Sequence, residues 1–284
     1  MRKAFASVLL IGSAVIGITT FAWAQNQASQ TSSRVPTPAF ISTALRNQER
    51  ASGGSLTIDY TGEWNKYGSK ESYVHSITRY HYTRTADAFY MEKQEKENRT
   101  VYFYDKSAKK NKNFLDWPNS PSVTIEYGKP EGFTNFETYE TTLYPLYEGP
   151  LCDRIEHGKV DPQMVSINGH KCWRIIIPAK YPRLRQYVVY VDPAKGYNPR
   201  RIVFNWNNKP DVINYRDYWQ ARKGFWFPKT MTLNYSSETN PKESCKIVNT
   251  VSKIVVGKQI PKEKLDFKVP PGTPTTDYTK KKRR

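Results

Sequence analysis

The sequence runs to 284 residues, 38% hydrophobic and 25% charged, enough apolar material for a core and too evenly mixed for a wholly disordered chain. Lys and Arg number 44 against 26 Asp and Glu, a formal net charge of +18, which favours anionic surfaces such as lipid headgroups, lipopolysaccharide or acidic glycans. Three cysteines, with no C-x-x-C pair and no histidine at ligand spacing, exclude a zinc ribbon or a dithiol redox motif.

Residues 1–24 carry the features of a cleaved secretory signal. Arg2 and Lys3 precede an uncharged run from Ala4 to Phe21, and Ala22-Trp23-Ala24 places small residues where a signal peptidase reads. The expectation is an exported, most plainly periplasmic, protein whose mature chain starts at Gln25. Export makes envelope surfaces the reachable partners and leaves nucleic acid out. It also permits disulfides, and Cys152, Cys172 and Cys245 allow one bridge at most within a monomer.

A polar lead over 25–36 is followed by a helix: Thr37 can cap it, Pro38 suits its first position, and Phe40, Ile41, Ala44 and Leu45 form a stripe. Gly53-Gly54 ends it. From Leu56 the period changes to two, with Leu56, Ile58 and Tyr60 alternating with Thr57, Asp59 and Thr61. Strand patterns follow at 72–84, 87–93, 99–105 and 122–128. Lys106, Lys109, Lys110 and Lys112 crowd one connection, read as an exposed basic loop and a candidate anionic-surface site. Residues 130–162 are broken by Pro and Gly, with one or two helical turns after Pro150.

Asn168-Gly169 signals a two-residue hairpin. In that register Ile167 opposes His170 and Val165 opposes Cys172, and Trp173, Ile175 and Ile177 take the other face. Strands follow at 187–191, 201–206, 211–220, 225–235 and 246–256, and the chain closes on a basic tail, 279–284. The pattern describes one mainly β domain over 37–278: a large curved antiparallel sheet or unclosed barrel with an N-terminal helix and few other helical turns.

No catalytic motif is present: no G-x-S-x-G, no H-E-x-x-H, no glycine-rich phosphate loop. His75 and His81 share a strand face with Arg79 between them, which argues against a metal there. Asp59, Glu63, Asp116 and Asp217 are scattered acids. The reading is a non-enzyme with no cofactor.

The order of motifs in the second half is similar to the bacterial outer-membrane lipoprotein-sorting (LolA-like) superfamily. It runs from Ile167-Asn168-Gly169-His170 to Cys172-Trp173-Arg174-Ile175, through Val189-Tyr190-Val191-Asp192-Pro193 and Asn198-Pro199-Arg200-Arg201-Ile202. Tyr215-Arg216-Asp217-Tyr218, Gly224-Phe225-Trp226-Phe227-Pro228 and the ending Phe267-Lys268-Val269-Pro270-Pro271-Gly272-Thr273 complete it. The resemblance covers about 160–278, and the early helix and Leu56 strand fit it. It implies an unclosed β-barrel around helices, with an apolar cavity for acyl chains and no catalytic residue. Leu56, Ile58, Tyr60, Ile202, Phe204 and Trp206 are the groove candidates, and lipid or lipoprotein acyl chains, with an anionic membrane surface, the expected partners. The alternative is an envelope interaction protein binding acidic glycan or a protein partner through its basic surface.

Overall fold

The computed structural model describes residues 34–67, 74–118, 120–127, 151–178, 184–206, 209–236 and 244–279. The signal segment, most of the polar lead, residues 128–150 and the last five residues of the basic tail lie outside them.

Helix α1 spans Pro38–Ala51. Thr37 caps it as the sequence indicates: its Oγ1 accepts from Phe40 N–H at 3.2 Å. The buried stripe is Ile41, Leu45 and Gln48; Phe40 lies one position off it, half in solvent, against the edge of Tyr197. Six strands follow: β1 (Leu56–Tyr67), β2 (Val74–Arg84), β3 (Ala88–Glu95), β4 (Asn98–Asp105), β5 (Lys110–Asp116) and β6 (Ser122–Tyr127). A short helix α2 (Leu151–Ile155) precedes β7 (Lys159–Ile167), β8 (His170–Pro178), β9 (Leu184–Asp192) and β10 (Asn198–Trp206). Then come β11 (Lys209–Arg222), β12 (Phe225–Ser236), β13 (Ser244–Val256), one helical turn α3 (Lys262–Leu265) and β14 (Thr275–Asp277).

All fourteen strands join one unclosed sheet, in the order β14-β6-β5-β4-β3-β2-β1-β13-β12-β11-β10-β9-β8-β7. Neighbours are antiparallel except β14, which runs parallel to β6. The Asn168-Gly169 hairpin has the expected register, Ile167 opposite His170 and Val165 opposite Cys172. Strand β5 departs from the sequence reading. The turn is confined to Lys106–Lys109, where Lys109 takes a positive φ of 49°. From Lys110 the chain is strand, hidden from a period-two search because Lys112 and two asparagines stand where apolar residues would mark it.

One face carries α1 and α2. A Cβ at Gly158, just past α2, would meet Ile175 Cγ2 at 2.8 Å, so α2 lies over the Ile175 face of β8. Arg46 of α1 donates to Asp153 at 2.8 Å and to Glu156 at 2.7 Å, locking the helices together. Gln48 ties α1 to the sheet, accepting from Trp226 N–H and donating to the Gly196 carbonyl, both at 2.9 Å. Ile41, Leu45, Leu151 and Ile155 are buried.

The opposite face is covered at one end by the C-terminal segment, here called the strap. Leu265 packs on Ala88 and Phe103, and Phe267 and Val269 cover Val101, Phe114 and Val123. Polar contacts hold it: Lys262 donates to Asp105 at 2.9 Å, and Lys112 pairs with Asp266 and donates to the Phe267 carbonyl at 3.2 Å.

The three cysteines are thiols, buried in α2, β8 and β13. The one bridge that the sequence allowed is not formed; each side chain packs as a small apolar group on a separate element. Burial, with Asp192 nearby, pushes the Cys172 thiol up to about 12.

Candidate functional site

Cross-strand partners in an antiparallel sheet share a face. On the helix face one row runs through Ile175, Val189, Ile202, Ile213, Leu233, Ile247 and Trp64, each opposite the next. Its first four members are at most 1% exposed. Its last three, on β12, β13 and β1, are half-buried. The side chains stay apolar while their cover thins.

Around that end lie Tyr60, Tyr80, Met231 and Val251, on the same face and also half-buried. The Tyr60 and Tyr80 rings stack at 4.5 Å with 7° between their planes. Burial, then the neighbouring Tyr80 and Tyr82, holds the Tyr60 phenol above its ordinary range and therefore neutral. Gly62 sits between Tyr60 and Trp64, and a Cβ there would meet Asn249 Oδ1 at 2.9 Å and Tyr80 Cε2 at 3.3 Å. Its missing side chain lets both neighbours lean across β1. Lys93, opposite Tyr80 on β3, adds a cation at the rim. The stretch offers aromatic and aliphatic surface with a Lys93–Glu95 ion pair, 3.4 Å apart, beside it, suited to contact and desolvation rather than bond-making.

The groove candidates divide. Leu56, Ile58, Ile202 and Phe204 are at most 4% exposed and belong to the interior packing. Tyr60 lies in the half-covered stretch. Trp206 ends β10, and its side chain falls outside the described residues. Sequence reading missed Trp64, Tyr80, Leu233 and Ile247; period-two alternation marks their face but not how much of it is covered.

The lysine candidates do not converge. Lys106 donates to the Thr85 carbonyl at 2.7 Å, and Lys112 stands over the Phe267 ring at 4.9 Å while holding the strap. Lys109 is exposed at the turn and Lys110 half-buried at the start of β5. Of the scattered acids, Asp59 pairs with His81, and Asp217 takes a positive φ of 54° in β11. Among the described residues no cluster of His, Cys, Asp or Glu has metal-site geometry, and no helix is long and apolar enough to cross a membrane.

An unclosed, mainly antiparallel sheet with α1 and α2 on one face and a C-terminal strap on the other is the class of fold this chain defines. No protein-family model matches the sequence, and no curated protein matches it. Several solved structures are similar. A domain described as an outer membrane lipoprotein-sorting protein, from Vibrio parahaemolyticus, is 13% identical, with 80% of this chain and 95% of that chain covered and a TM-score of 0.48. A LolA superfamily protein from Nitrosomonas europaea is 7% identical, with 79% and 97% covered and a TM-score of 0.41. The MucA/MucB complex of Pseudomonas aeruginosa gives 9% identity, coverage of 76% and 98%, and a TM-score of 0.25. At these identities and scores, the likeness extends to no individual residue or activity.

Proposed function

We propose that this chain is an exported envelope protein that holds an acyl chain of a lipid or lipoprotein against the half-buried helix-face stretch around Tyr60, Trp64 and Ile247. One observation carries the reading. The apolar row that is sealed at Ile202 and Ile213 continues, still apolar, into Leu233, Ile247 and Trp64 where it is incompletely covered. Each methylene taken from water onto such a surface gains about 0.8 kcal/mol, so an acyl chain that buries roughly ten of them gains about 8 kcal/mol before the costs of ordering it. The excess of Lys and Arg over Asp and Glu favours approach to anionic membranes. This role asks for no catalytic residue and no cofactor. The apolar signal region of residues 1–24 supports export.

Displacement of a fluorescent fatty acid tests the reading. Wild type is expected to bind, and Trp64→Ala or Ile247→Asp to weaken binding at least tenfold while the protein keeps its folded circular-dichroism signal. A folded wild type that binds neither the probe nor extracted envelope lipid overturns it.

A further inference from the structure

The opposite face carries a concavity that the acyl-chain reading does not use. It has a volume of about 260 Å³ and lies over β1, β2 and β3, beside the area covered by the strap. Two cross-strand rows make its floor. Asp59, His81 and Glu92 form one, and Thr61, Arg79 and Gln94 the other. Ser252 borders it from β13, at the point where the register with β1 slips.

The first row changes character along its length. Beyond Glu92 it continues into Val101, Phe114 and Val123, which Phe267 and Val269 cover. The strap stops where the floor becomes polar. The apolar half of the row is sealed by the chain itself, and the polar half is left open.

The floor is held rigid from below and beside. His81 Nδ1 pairs with Asp59 Oδ1, and its Nε2 lies 3.3 Å from Thr83 Oγ1. Glu92 accepts from Tyr90 OH and from Arg99 Nε, each at 2.7 Å. The Arg99 hydrogen bond holds the Glu92 carboxyl below its usual range, so it stays an acceptor. Lys253 stands 3.8 Å from Asp59. Arg79 is exposed at the mouth.

Charge decides the class of ligand. Two carboxylates, Asp59 and Glu92, and one guanidinium, Arg79, line the concavity, and Lys253 and Arg99 stand beside it, 3.8 Å from Asp59 and 2.7 Å from Glu92. A free anion would meet a carboxylate, and a free cation would meet a guanidinium or an ammonium, at distances where like charges repel. A ligand with many neutral donors and acceptors meets no such penalty. Carboxylate, imidazole, amide, hydroxyl and guanidinium groups, spaced by the strand separation of about 4.8 Å, suit ring hydroxyls that both give and accept hydrogen bonds. The volume lies below the roughly 300–1,000 Å³ of sites for drug-sized ligands, which fits one or two sugar rings rather than an extended polymer.

We propose that this concavity is a binding site for a neutral carbohydrate unit, separate from the acyl-chain surface on the other side of the sheet. Asp59 and Glu92 accept from ring hydroxyls, Arg79 and Gln94 donate to them, and Thr61 and Ser252 serve as either.

The test is ligand-observed saturation-transfer NMR and calorimetry on the mature full chain. The probes are neutral disaccharides of hexose and of N-acetylhexosamine, with glucuronate, inorganic phosphate and spermidine as charged comparisons. Millimolar or tighter binding of a neutral probe is expected, with at least a fivefold loss in Asp59→Asn and in Arg79→Ala. Thr61→Val, which removes only a hydroxyl, is expected to lose less. Thermal melts confirm that each variant is folded, and acyl-probe displacement should be unchanged in all three, which separates this site from the other. Absence of neutral-sugar binding up to about 50 mM, an order-of-magnitude ceiling for a small polar site, overturns the proposal. So does binding that the variants leave unaltered, or tighter binding of glucuronate, phosphate or spermidine than of any neutral probe.

Discussion

The two ends of the helix-face row are alike in sequence and unlike in cover. Ile202 and Ile213 are at most 1% exposed, whereas Ile247 and Trp64, in the same row, stay half-buried. Both ends alternate apolar and polar with a period of two, and both use β-branched and aromatic side chains. What separates them is where the helices lie. Arg46 and Gln48 fix α1 against α2, β12 and the Gly196 turn, which places both helices on the β8 to β12 side of the sheet. A period-two pattern marks a surface that avoids water, and a second element decides whether that surface becomes core or remains able to receive something else.

The comparison can be broken most decisively at Phe204. This side chain is 4% exposed and packs edge-on against Tyr187 at 5.4 Å. Phe204→Asp buries a carboxylate in an apolar site, and the loss is expected to exceed about 4 kcal/mol, enough to abolish the folded state of a marginal domain. Urea denaturation with circular dichroism reads it. A folded Phe204→Asp variant of near-normal stability would mean that this end of the row is open after all.

A paired truncation sharpens the contrast. Ile202→Ala removes methyl groups from a sealed site and is expected to cost about 2–5 kcal/mol. Ile247→Ala, in the same row but half-covered, is expected to cost about 1 kcal/mol or less, with the larger effect on acyl-probe affinity. Equal stability losses at the two positions would erase the distinction between core and binding surface.

The smallest effect is expected at the strap. Burial pushes the Asp105 carboxyl upward, but hydrogen bonds from Ser107, the Ala108 amide and Lys262 prevail and hold it well below the usual carboxylate range. A carboxyl depressed in the folded state adds stability above its unfolded pKa of about 3.9, and loses it as pH falls toward the folded value. Lys262 is about one-third exposed, so solvent screening keeps the contribution to about 1 kcal/mol. Asp105→Asn is therefore expected to be slightly less stable than wild type from about pH 5 upward, with the gap narrowing below about pH 4. Denaturant midpoints across pH 3–8 measure it, and a gap that widens on acidification contradicts the assignment.

Much of the fold was legible. Thr37-Pro38 marks the helix start because a hydroxyl cap and a proline at the first position both satisfy the unpaired end of a helix. Asn168-Gly169 sets the β7–β8 register because its turn tolerates positive φ, and Asn168 and Gly169 adopt 50° and 82°. Strand β5 was not legible. Lys112 lies over Phe267 and satisfies it with its stem and charge, a role that only a residue 155 positions away reveals. The strap-face pocket was equally hidden: Asp59, His81 and Glu92 are unremarkable on their own strands and meet only through register.

The sequence by itself determined that this chain is mainly β, with one capped helix before a series of alternating strands, because capping and periodicity are local and need no partner. It also determined which side chains share a face, since the pleat alternates whatever the sheet's size. Only the tertiary structure decided which part of each face is covered. One half of an apolar row is sealed while Tyr60, Trp64 and Ile247 stay half-covered, and the strap's apolar cover ends where its row turns from Val101 to Glu92. Cover is a contact between segments far apart in the chain, and no local pattern encodes where those segments come to rest.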